Sequence, residues 1–128
     1  MKYLLDTHIL LWALLEPNKL SQKAQKILLS EDNKLFFSPG SLWEIVIKNQ
    51  LGRDDFCVDA NLIRRTLLDN GYEELQITSA HTVFISSLPH IHKDPFDRLL
   101  IAQAVVEGIM LMTHDSIIKK YEAPIFIV

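Results

Sequence analysis

Residues 94–108 read DPFDRLLIAQAVVEG, and this stretch carries the clearest helix signal in the chain. Asp94 stands in the N-cap position, proline follows in the first helical position, and Asp97 places an acid in the first turn. A long apolar face comes next, and Gly108 is typical of the residue just after a helix. Residues 109–113 then form an apolar run that predicts a buried strand. A helix that leads directly into a buried strand indicates an α/β fold.

Strand-like and helix-like segments also alternate on either side of this unit. Short apolar runs predict strands at residues 2–5, 35–37, 74–77 and 125–128, and periodic runs with caps predict helices at 7–15, 21–30, 39–51, 59–70 and 78–88 and a helical turn at 115–120. Ser21 and Asp59 are the expected N-caps of two of these helices, and Ser41 and Glu44 have the spacing of a capping box. The alternation predicts a mostly parallel sheet with helices on both faces.

Composition limits the class of protein. A chain of 128 residues, 48% of them apolar, fits one compact domain, which we take to be residues 1–128. The single cysteine, Cys57, cannot form an internal disulfide, which fits a reducing cytoplasm. The apolar runs are far shorter than the roughly 20 residues that span a bilayer, and Asp6 and His8 interrupt any signal-peptide core. We therefore expect a cytoplasmic protein without a membrane segment.

The formal net charge of −3 bears on the kind of ligand. Proteins that bind nucleic acid usually carry a basic surplus, because they neutralise phosphates. The objection weakens if several acids are concentrated in a metal site, since the remaining surface is then close to neutral or basic. Charge alone therefore does not exclude a nucleic-acid substrate.

Four acids fall at equivalent positions of the predicted fold. Asp6 and Asp115 follow predicted strands, and Glu44 and Asp97 lie in early turns of predicted helices. Ligands of parallel sheets bind beyond the carboxyl ends of the strands, so the four carboxylates are expected to converge. Like charges at close range need a cation, and oxygen ligands favour Mg²⁺ or Mn²⁺. A hard cation held in this way activates water and stabilises charge on a phosphodiester, which makes phosphodiester hydrolysis the predicted chemistry.

Each acid also has a structural interpretation. Asp94 is explained as an N-cap, and Asp97 as a favourable charge at a helix N-terminus. Taken alone, any one of these acids is more often structural than functional. Asp6 is the exception, since an acid directly after a buried strand gains nothing obvious from packing. The joint placement of the four favours a functional site.

Four segments of the chain are similar to motifs of one family. They are residues 4–8 (LLDTH), 38–45 (SPGSLWEI), 94–104 (DPFDRLLIAQA) and 112–115 (MTHD). Together they resemble the PIN domain, and within it the VapC-like toxins of bacterial toxin–antitoxin pairs, over essentially the whole chain. The resemblance implies a PIN-like three-layer α/β sandwich. It also implies a ribonuclease that depends on Mg²⁺ or Mn²⁺, forms a homodimer and is silenced by a cognate antitoxin protein.

The resemblance also implies roles for individual residues. It marks Asp6, Glu44, Asp97 and Asp115 as the metal-binding catalytic acids and Asp94 as a fifth candidate. The hydroxyl residues that the family sets beside its acids correspond to Thr7, Ser41 and Thr113. All four expected acids are present, which argues against a degenerate, non-catalytic member. His114 stands where many relatives carry Asn, Ser or Arg, so the resemblance gives it no role.

Two other kinds of metal or phosphate site share part of this pattern. His90, His92 and Asp94 resemble part of the HxHxDH zinc motif of metallo-β-lactamase-like hydrolases, but the last histidine is missing and the chain is too short for that fold. His90 and His92 are instead interpreted as loop residues that pack against Phe96 or face solvent, with a substrate contact as the weaker alternative. Asp6 also resembles the acid of receiver domains and haloacid dehalogenases; the latter need a second aspartate where this chain has His8.

Cationic and aromatic side chains offer further candidates for RNA contact. Those that could flank the acids and meet phosphates are Lys48, Arg53, Lys93 and Arg98, of which Lys48 and Arg98 adjoin predicted site residues. Each is as easily a solvated surface charge. Trp12 and Trp43 are interpreted as core or dimer-interface residues rather than as platforms for bases.

The leading hypothesis is an endoribonuclease toxin that hydrolyses RNA phosphodiester bonds with one or two divalent ions held by the four acids. The alternative is a non-catalytic PIN-like module that binds RNA or a protein through the same pocket. Metal binding without turnover on any RNA would favour the alternative.

Overall fold

A five-stranded, fully parallel sheet forms the centre of the protein. The computed structural model describes residues 1–52 and 56–128. The strands are β1 (Lys2–Leu5), β2 (Lys34–Phe37), β3 (Glu73–Glu74), β4 (Met110–Thr113) and β5 (Ile125–Ile127). Their order across the sheet is β3-β2-β1-β4-β5, so β1 lies at the centre. The prediction of an α/β fold with a parallel sheet is confirmed.

In residues 1–52 and 56–128, six α-helices connect the strands. They are α1 (Thr7–Leu15), α2 (Gln22–Leu29), α3 (Pro39–Gln50), α4 (Ala60–Asp69), α5 (Ser79–Phe84) and α6 (Pro95–Glu107), with short 3₁₀ turns at Pro17–Lys19, Ile85–Ser87 and Ile118–Lys120. The predicted N-caps are confirmed, since the side chains of Ser21, Asp59 and Asp94 each accept a hydrogen bond from a backbone N–H of the first turn. Gly108 ends α6 with φ of 68°, a left-handed conformation that glycine adopts without strain.

Alternate residues of the central strand divide the core into two layers. Tyr3 and Leu5 of β1 pack with residues of α1, α2, α3 and α4 on one face. Leu4, fully buried, packs on the other face with Leu100 and neighbouring residues of α6. Successive side chains of a strand point to opposite faces, so one short apolar strand contributes to both layers. Helices therefore cover both faces of the sheet, as the sequence predicts.

The order of the strands creates a switch point beside β1. From β1 the chain proceeds outward to β2 and β3, and it then returns to the other side of β1 for β4 and β5. Leu5 is in register with Met112, and the Asp6 N–H donates to the Met112 carbonyl at 3.0 Å. Parallel sheets bind ligands where the strand order reverses, beyond the carboxyl ends of the strands. The residues after β1 and β4 occupy that position.

Several predicted boundaries are corrected. Strand β3, at the sheet edge, has only the two residues 73 and 74, so it is shorter than the predicted strand 74–77 and begins one position earlier. The Ser41–Glu44 capping box is wrong, because Ser38 is the N-cap of α3 and its Oγ accepts from the Gly40 N–H at 3.0 Å. Pro39 follows at the first helical position, where its missing N–H costs nothing. Predicted Arg53 lies outside the described residues, and none of the described helices has the length and apolar character needed to cross a bilayer.

Candidate active site

The predicted acids converge on one cleft at the carboxyl edge of the sheet. Asp6, Glu44, Asp94, Asp97 and Asp115 line a depression of about 350 Å³, called here the acidic cleft. These side chains come from the start of α1, from α3, from the start of α6 and from the segment after β4. A larger cavity of about 490 Å³ near the end of α2 contains none of the predicted site residues. The acidic cleft is therefore the candidate site.

Asp6 lies deepest among these acids and is 5% exposed. It is the N-cap of α1, with Oδ1 accepting from the Ile9 N–H at 2.9 Å, and its Oδ2 accepts a short hydrogen bond from Thr113 Oγ1. Burial raises the pKa of the Asp6 carboxyl, although the hydrogen bonds from Ile9 and Thr113 oppose the change. The carboxylate is held in one orientation at a place where its charge costs energy.

Glu44 is held by a hydroxyl and a cation. It is 7% exposed in the second turn of α3, and Thr7 Oγ1 donates to its Oε1 at 2.7 Å. Ser41 Oγ lies 3.0 Å from Thr7 Oγ1 and supports that hydroxyl from the preceding turn of α3. Lys48 Nζ lies 3.0 Å from Glu44 Oε2. The hydroxyls of Thr7 and Ser41 thus serve to orient Glu44.

Like that of Asp6, the pKa of Asp97 is raised. Burial raises its pKa to about 7, and the nearby carboxyl of Asp94 adds to the increase. The Asp94 Oδ1 accepts from the backbone N–H groups of Phe96 and Asp97 at 2.8 and 3.4 Å, which makes Asp94 the N-cap of α6. Asp94 therefore has the capping role that the sequence predicts, and it also lines the acidic cleft.

Asp115 is tied to Asp6 through one buried threonine. The Asp115 N–H donates to Thr113 Oγ1 at 3.0 Å, while the same hydroxyl donates to Asp6. Burial raises the Asp115 pKa, but hydrogen bonds from His92 and from the Ile117 N–H outweigh it, so the pKa is lowered overall. Thr113, which is fully buried, therefore orients acids on both sides of the β1–β4 junction.

Sequence comparison identifies the family once this geometry is known. The sequence profile of the PIN domain matches residues 3–124. The chain belongs to the PIN domain family. The matched range includes all five acids of the cleft. A comparison with curated protein sequences finds no match.

Solved structures share the PIN domain fold along most of the chain. One is a structure of VapBC2 from Rickettsia felis bound to a DNA fragment from the VapBC2 promoter. Its TM-score is 0.73, its sequence identity is 17%, and the match covers 100% of this chain and 99% of that one. Another is from DNA-bound VapBC of Salmonella typhimurium, with a TM-score of 0.68, 14% identity and coverage of 98% and 97%. VapBC-1 of nontypeable Haemophilus influenzae has a TM-score of 0.58, 20% identity and coverage of 90% and 87%. At these identities the likeness shows the fold.

His92 is the residue of this PIN domain that sequence reasoning missed. Its Nε2 lies 2.9 Å from Asp97 Oδ2 and 3.0 Å from Asp115 Oδ2, and its side chain is 13% exposed. The interpretation of His92 as facing solvent is therefore wrong, whereas His90 is exposed as expected. The sequence signal for a role of His92 was its position two residues before Asp94. That spacing does not reveal that Asp115, 23 residues from His92 in the chain, lies beside the ring.

The predicted RNA-contact residues divide into two kinds. Lys48 lines the acidic cleft of the PIN domain beside Glu44. Arg98 points elsewhere, since its Nη2 donates to the carbonyls of Ile85 and Leu88 at 3.3 Å each. Arg98 thus joins α6 to the segment after α5, and the geometry does not support a contact with RNA in the cleft.

Aromatic side chains form part of the rim of the PIN domain's cleft. Trp12 lines it, with the His8 ring stacked at 5.9 Å and the His114 ring edge-on at 5.6 Å. His114 Nδ1 also lies 2.7 Å from the Val128 carbonyl, so its ring holds the end of the chain. Trp43, by contrast, is 61% exposed and packs edge-on against Phe96 outside the described cleft lining. Neither tryptophan is a fully buried core residue.

Thr113→Val tests the orienting role of the threonine hydroxyl. The change keeps the shape but leaves the buried Asp6 oxygen and the Asp115 N–H without this partner, so we expect a loss of about 1–3 kcal/mol in the free energy of unfolding. We also expect affinity for Mn²⁺ to fall roughly 10–100-fold, because the ligand carboxylates lose their orientation. Urea unfolding and calorimetric titration measure the two effects. Thr113→Ser is the control that keeps the hydroxyl, and equal behaviour of the Val and Ser variants would contradict the role.

Asp97→Asn tests the cost of the buried acid in metal-free protein. An aspartate in an unfolded chain has a pKa of about 3.9, whereas the folded Asp97 has a pKa of about 7. Between these values the folded state keeps a proton that the unfolded state has lost, so stability decreases as the pH rises from about 4 to 7. We expect the Asn variant to be more stable than the parent at pH 8, with a smaller gain at pH 5. Urea unfolding in EDTA measures this, and an equal gain at both pH values would contradict it.

Proposed function

We propose that this PIN domain protein is a divalent-metal-dependent endoribonuclease and the toxin of a toxin–antitoxin pair. The observation that carries the proposal is the convergence of Asp6, Glu44, Asp97 and Asp115, from four separate segments, on one cleft. Each of the four carboxylates lies within hydrogen-bond distance of a threonine hydroxyl or a histidine ring. Such preorganisation is typical of sites that bind a cation or act on substrate.

The donor set of the cleft fits Mg²⁺ or Mn²⁺. Its described lining contains five carboxylates and one lysine, so the local charge is strongly negative. Burial raises the pKa of Asp97, and the nearby carboxyls, Asp94 first among them, add to the increase. Carboxylate oxygens of Asp97 and Asp115 and a ring nitrogen of His92 lie within 4.8 Å of one another. Oxygen-rich sites favour hard cations, and we assign Asp6, Glu44, Asp97 and Asp115 as the residues that would hold them, with Asp94 as a fifth candidate.

When bound, the divalent ion supplies Lewis acidity that activates water and stabilises charge on the phosphodiester. The residues of the chain hold the acidic side chains in position. Thr113 keeps Asp6 and Asp115 in fixed relative orientation, and Thr7 does the same for Glu44. Lys48, already 3.0 Å from Glu44, is the candidate for contact with an RNA phosphate. The buried position of Asp6 limits access of bulk water to the deepest part of the cleft.

The partners are inferred from the likeness to VapBC structures and from the resemblance to VapC-like toxins of toxin–antitoxin pairs. We infer that a cognate antitoxin binds this protein and blocks the cleft. We also infer a homodimer, because apolar side chains are exposed on several helices, among them Trp43 at 61% and Val83 at 70%. Light scattering of the purified protein tests the dimer, and a monomeric mass at micromolar concentration would contradict it.

Cleavage of RNA is the direct test of the activity. Purified protein is incubated with a mixture of structured RNAs that includes tRNA, with Mg²⁺ or Mn²⁺ or with EDTA. We expect endonucleolytic fragments with either metal and intact RNA with EDTA. Binding of metal without cleavage of any RNA would instead favour a non-catalytic binding module. Cleavage that persists in EDTA would contradict the metal-dependent mechanism.

A further inference from the structure

His92 lies between two of the proposed metal ligands without an assigned role. Its Nε2 is within hydrogen-bond distance of both Asp97 Oδ2 and Asp115 Oδ2, at 2.9 and 3.0 Å. Asp97 belongs to the first turn of α6 and Asp115 to the segment after β4. One imidazole nitrogen therefore joins carboxylates from the beginning of α6 and from the segment that follows β4.

Contacts with the main chain fix the position and the tautomer of the ring. The backbone N–H of Asp94 donates to His92 Nδ1 at 3.2 Å, so Nδ1 is an acceptor and the ring proton is on Nε2. The His92 N–H in turn donates to Oη of Tyr121, a side chain that is 5% exposed, at 2.8 Å. The loop before α6 is thereby anchored, and Nε2–H is directed at the two carboxylates.

We propose that His92 is a positioning residue of the acidic cleft, which holds Asp97 and Asp115 together by donating from Nε2 and is not itself a metal ligand. The inference rests on the proposed metal-dependent function, but it concerns how the ligands are held rather than what is cleaved. Neighbouring hydrogen-bond partners of this kind set the orientation of metal ligands and account for much of the affinity of a site.

The tautomer distinguishes a positioning role from ligation. To bind a cation through Nε2, the neutral ring would have to carry its proton on Nδ1, where the Asp94 N–H already points. The two hydrogens would then face each other, and the partly buried Asp94 N–H would lose its acceptor. With His92 as a donor, the ligands remain oxygen atoms, which favours Mg²⁺ and Mn²⁺ over Zn²⁺.

Metal titration of variants is the first test. Binding of Mn²⁺ is measured by calorimetry for the parent, His92→Ala, His92→Gln and the control His90→Ala, which alters an exposed histidine two residues away. We expect the Kd to rise roughly 10–100-fold in the Ala variant, less in the Gln variant because its amide can still donate, and not at all in the control. An unchanged Kd in folded His92→Ala overturns the proposal.

The tautomer of the unaltered protein is the second test, and it does not depend on how the variants fold. Long-range ¹H–¹⁵N correlation spectra of ¹⁵N-labelled protein report which ring nitrogen carries the proton, with and without the diamagnetic ion Mg²⁺. We expect the Nε2–H form in both states. A proton on Nδ1 of His92 in the Mg²⁺-bound protein overturns the proposal, because it identifies Nε2 as a ligand.

The outcomes separate this inference from the proposed function. If metal binding depends on His92 but the protein cleaves no RNA, the nuclease assignment is wrong and the positioning role of His92 is still supported. Failure of the parent protein to bind Mn²⁺ would overturn both.

Discussion

Asp6→Asn is expected to reduce metal-dependent RNA cleavage by on the order of 10²–10³-fold or more while leaving the fold intact. The carboxylate is the deepest of the acids and is oriented by both Ile9 and Thr113, so an amide in its place removes one of the proposed anionic ligands of the cleft. The fold should survive because asparagine caps a helix as well as aspartate does. Gel assays of RNA cleavage and circular dichroism measure the two parts.

A matched surface change controls for general effects of lost charge. Asp69→Asn alters an exposed acid at the end of α4, outside the cleft lining, and should cleave like the parent. Because burial raises the pKa of Asp6, the neutral amide that replaces this carboxyl should also leave the free energy of unfolding unchanged or higher. Parent-like cleavage by Asp6→Asn at equal metal concentration would mean that the mechanism is wrong.

Affinity for Mn²⁺ is expected to fall by about 100-fold between pH 8 and pH 5, because Asp97 must lose its proton before it can serve as a ligand. Its pKa of about 7 places the change below neutral pH, with roughly a tenfold loss for each further pH unit. The raised pKa of Asp6 acts in the same direction. Calorimetric titration with Mn²⁺ at a series of pH values, in buffers that do not bind the metal, measures the effect.

Asp97→Asn is the comparison for this pH dependence. The variant should bind Mn²⁺ more weakly at pH 8, and its remaining affinity should vary less with pH because the proton of Asp97 is no longer involved. A constant Mn²⁺ affinity of the parent from pH 5 to 8 would show that Asp97 is not a ligand. Should the variant keep the full slope, another acid would be responsible for it.

The stability of the folded protein and its proposed metal binding favour opposite protonation states of Asp97. In metal-free protein the buried carboxyl destabilises the fold above neutral pH, yet the same ionised form is the one proposed to bind a cation. A cation bound only to the folded state restores the lost stability in proportion to the logarithm of its concentration over the Kd. The acidic cleft is therefore expected to depend on bound metal for part of its stability.

The sequence by itself determined the elements and the identity of the acids. The caps at Ser21, Asp59 and Asp94 and the helix end at Gly108 are local signals, which depend on residues within a few positions of one another. The alternation of strands and helices then predicted the parallel sheet, and the rule for the carboxyl ends of strands predicted that Asp6, Glu44, Asp97 and Asp115 would converge.

The resemblance marked Thr7, Ser41 and Thr113 as hydroxyl residues beside the acids, but only the tertiary structure decided which group contacts which acid. Ser41 has the spacing of a capping box with Glu44 and instead supports Thr7, and Arg98, a candidate for RNA contact, instead binds the carbonyls of Ile85 and Leu88. The hydrogen bond between Thr113 and Asp6 joins residues 107 positions apart, and that between His92 and Asp115 joins residues 23 apart. Such contacts depend on the register of β1 with β4 and on the packing of α6, because a hydrogen bond requires its atoms to meet within a few tenths of an ångström. The spacing of two residues along the chain does not determine the distance between their atoms in the fold.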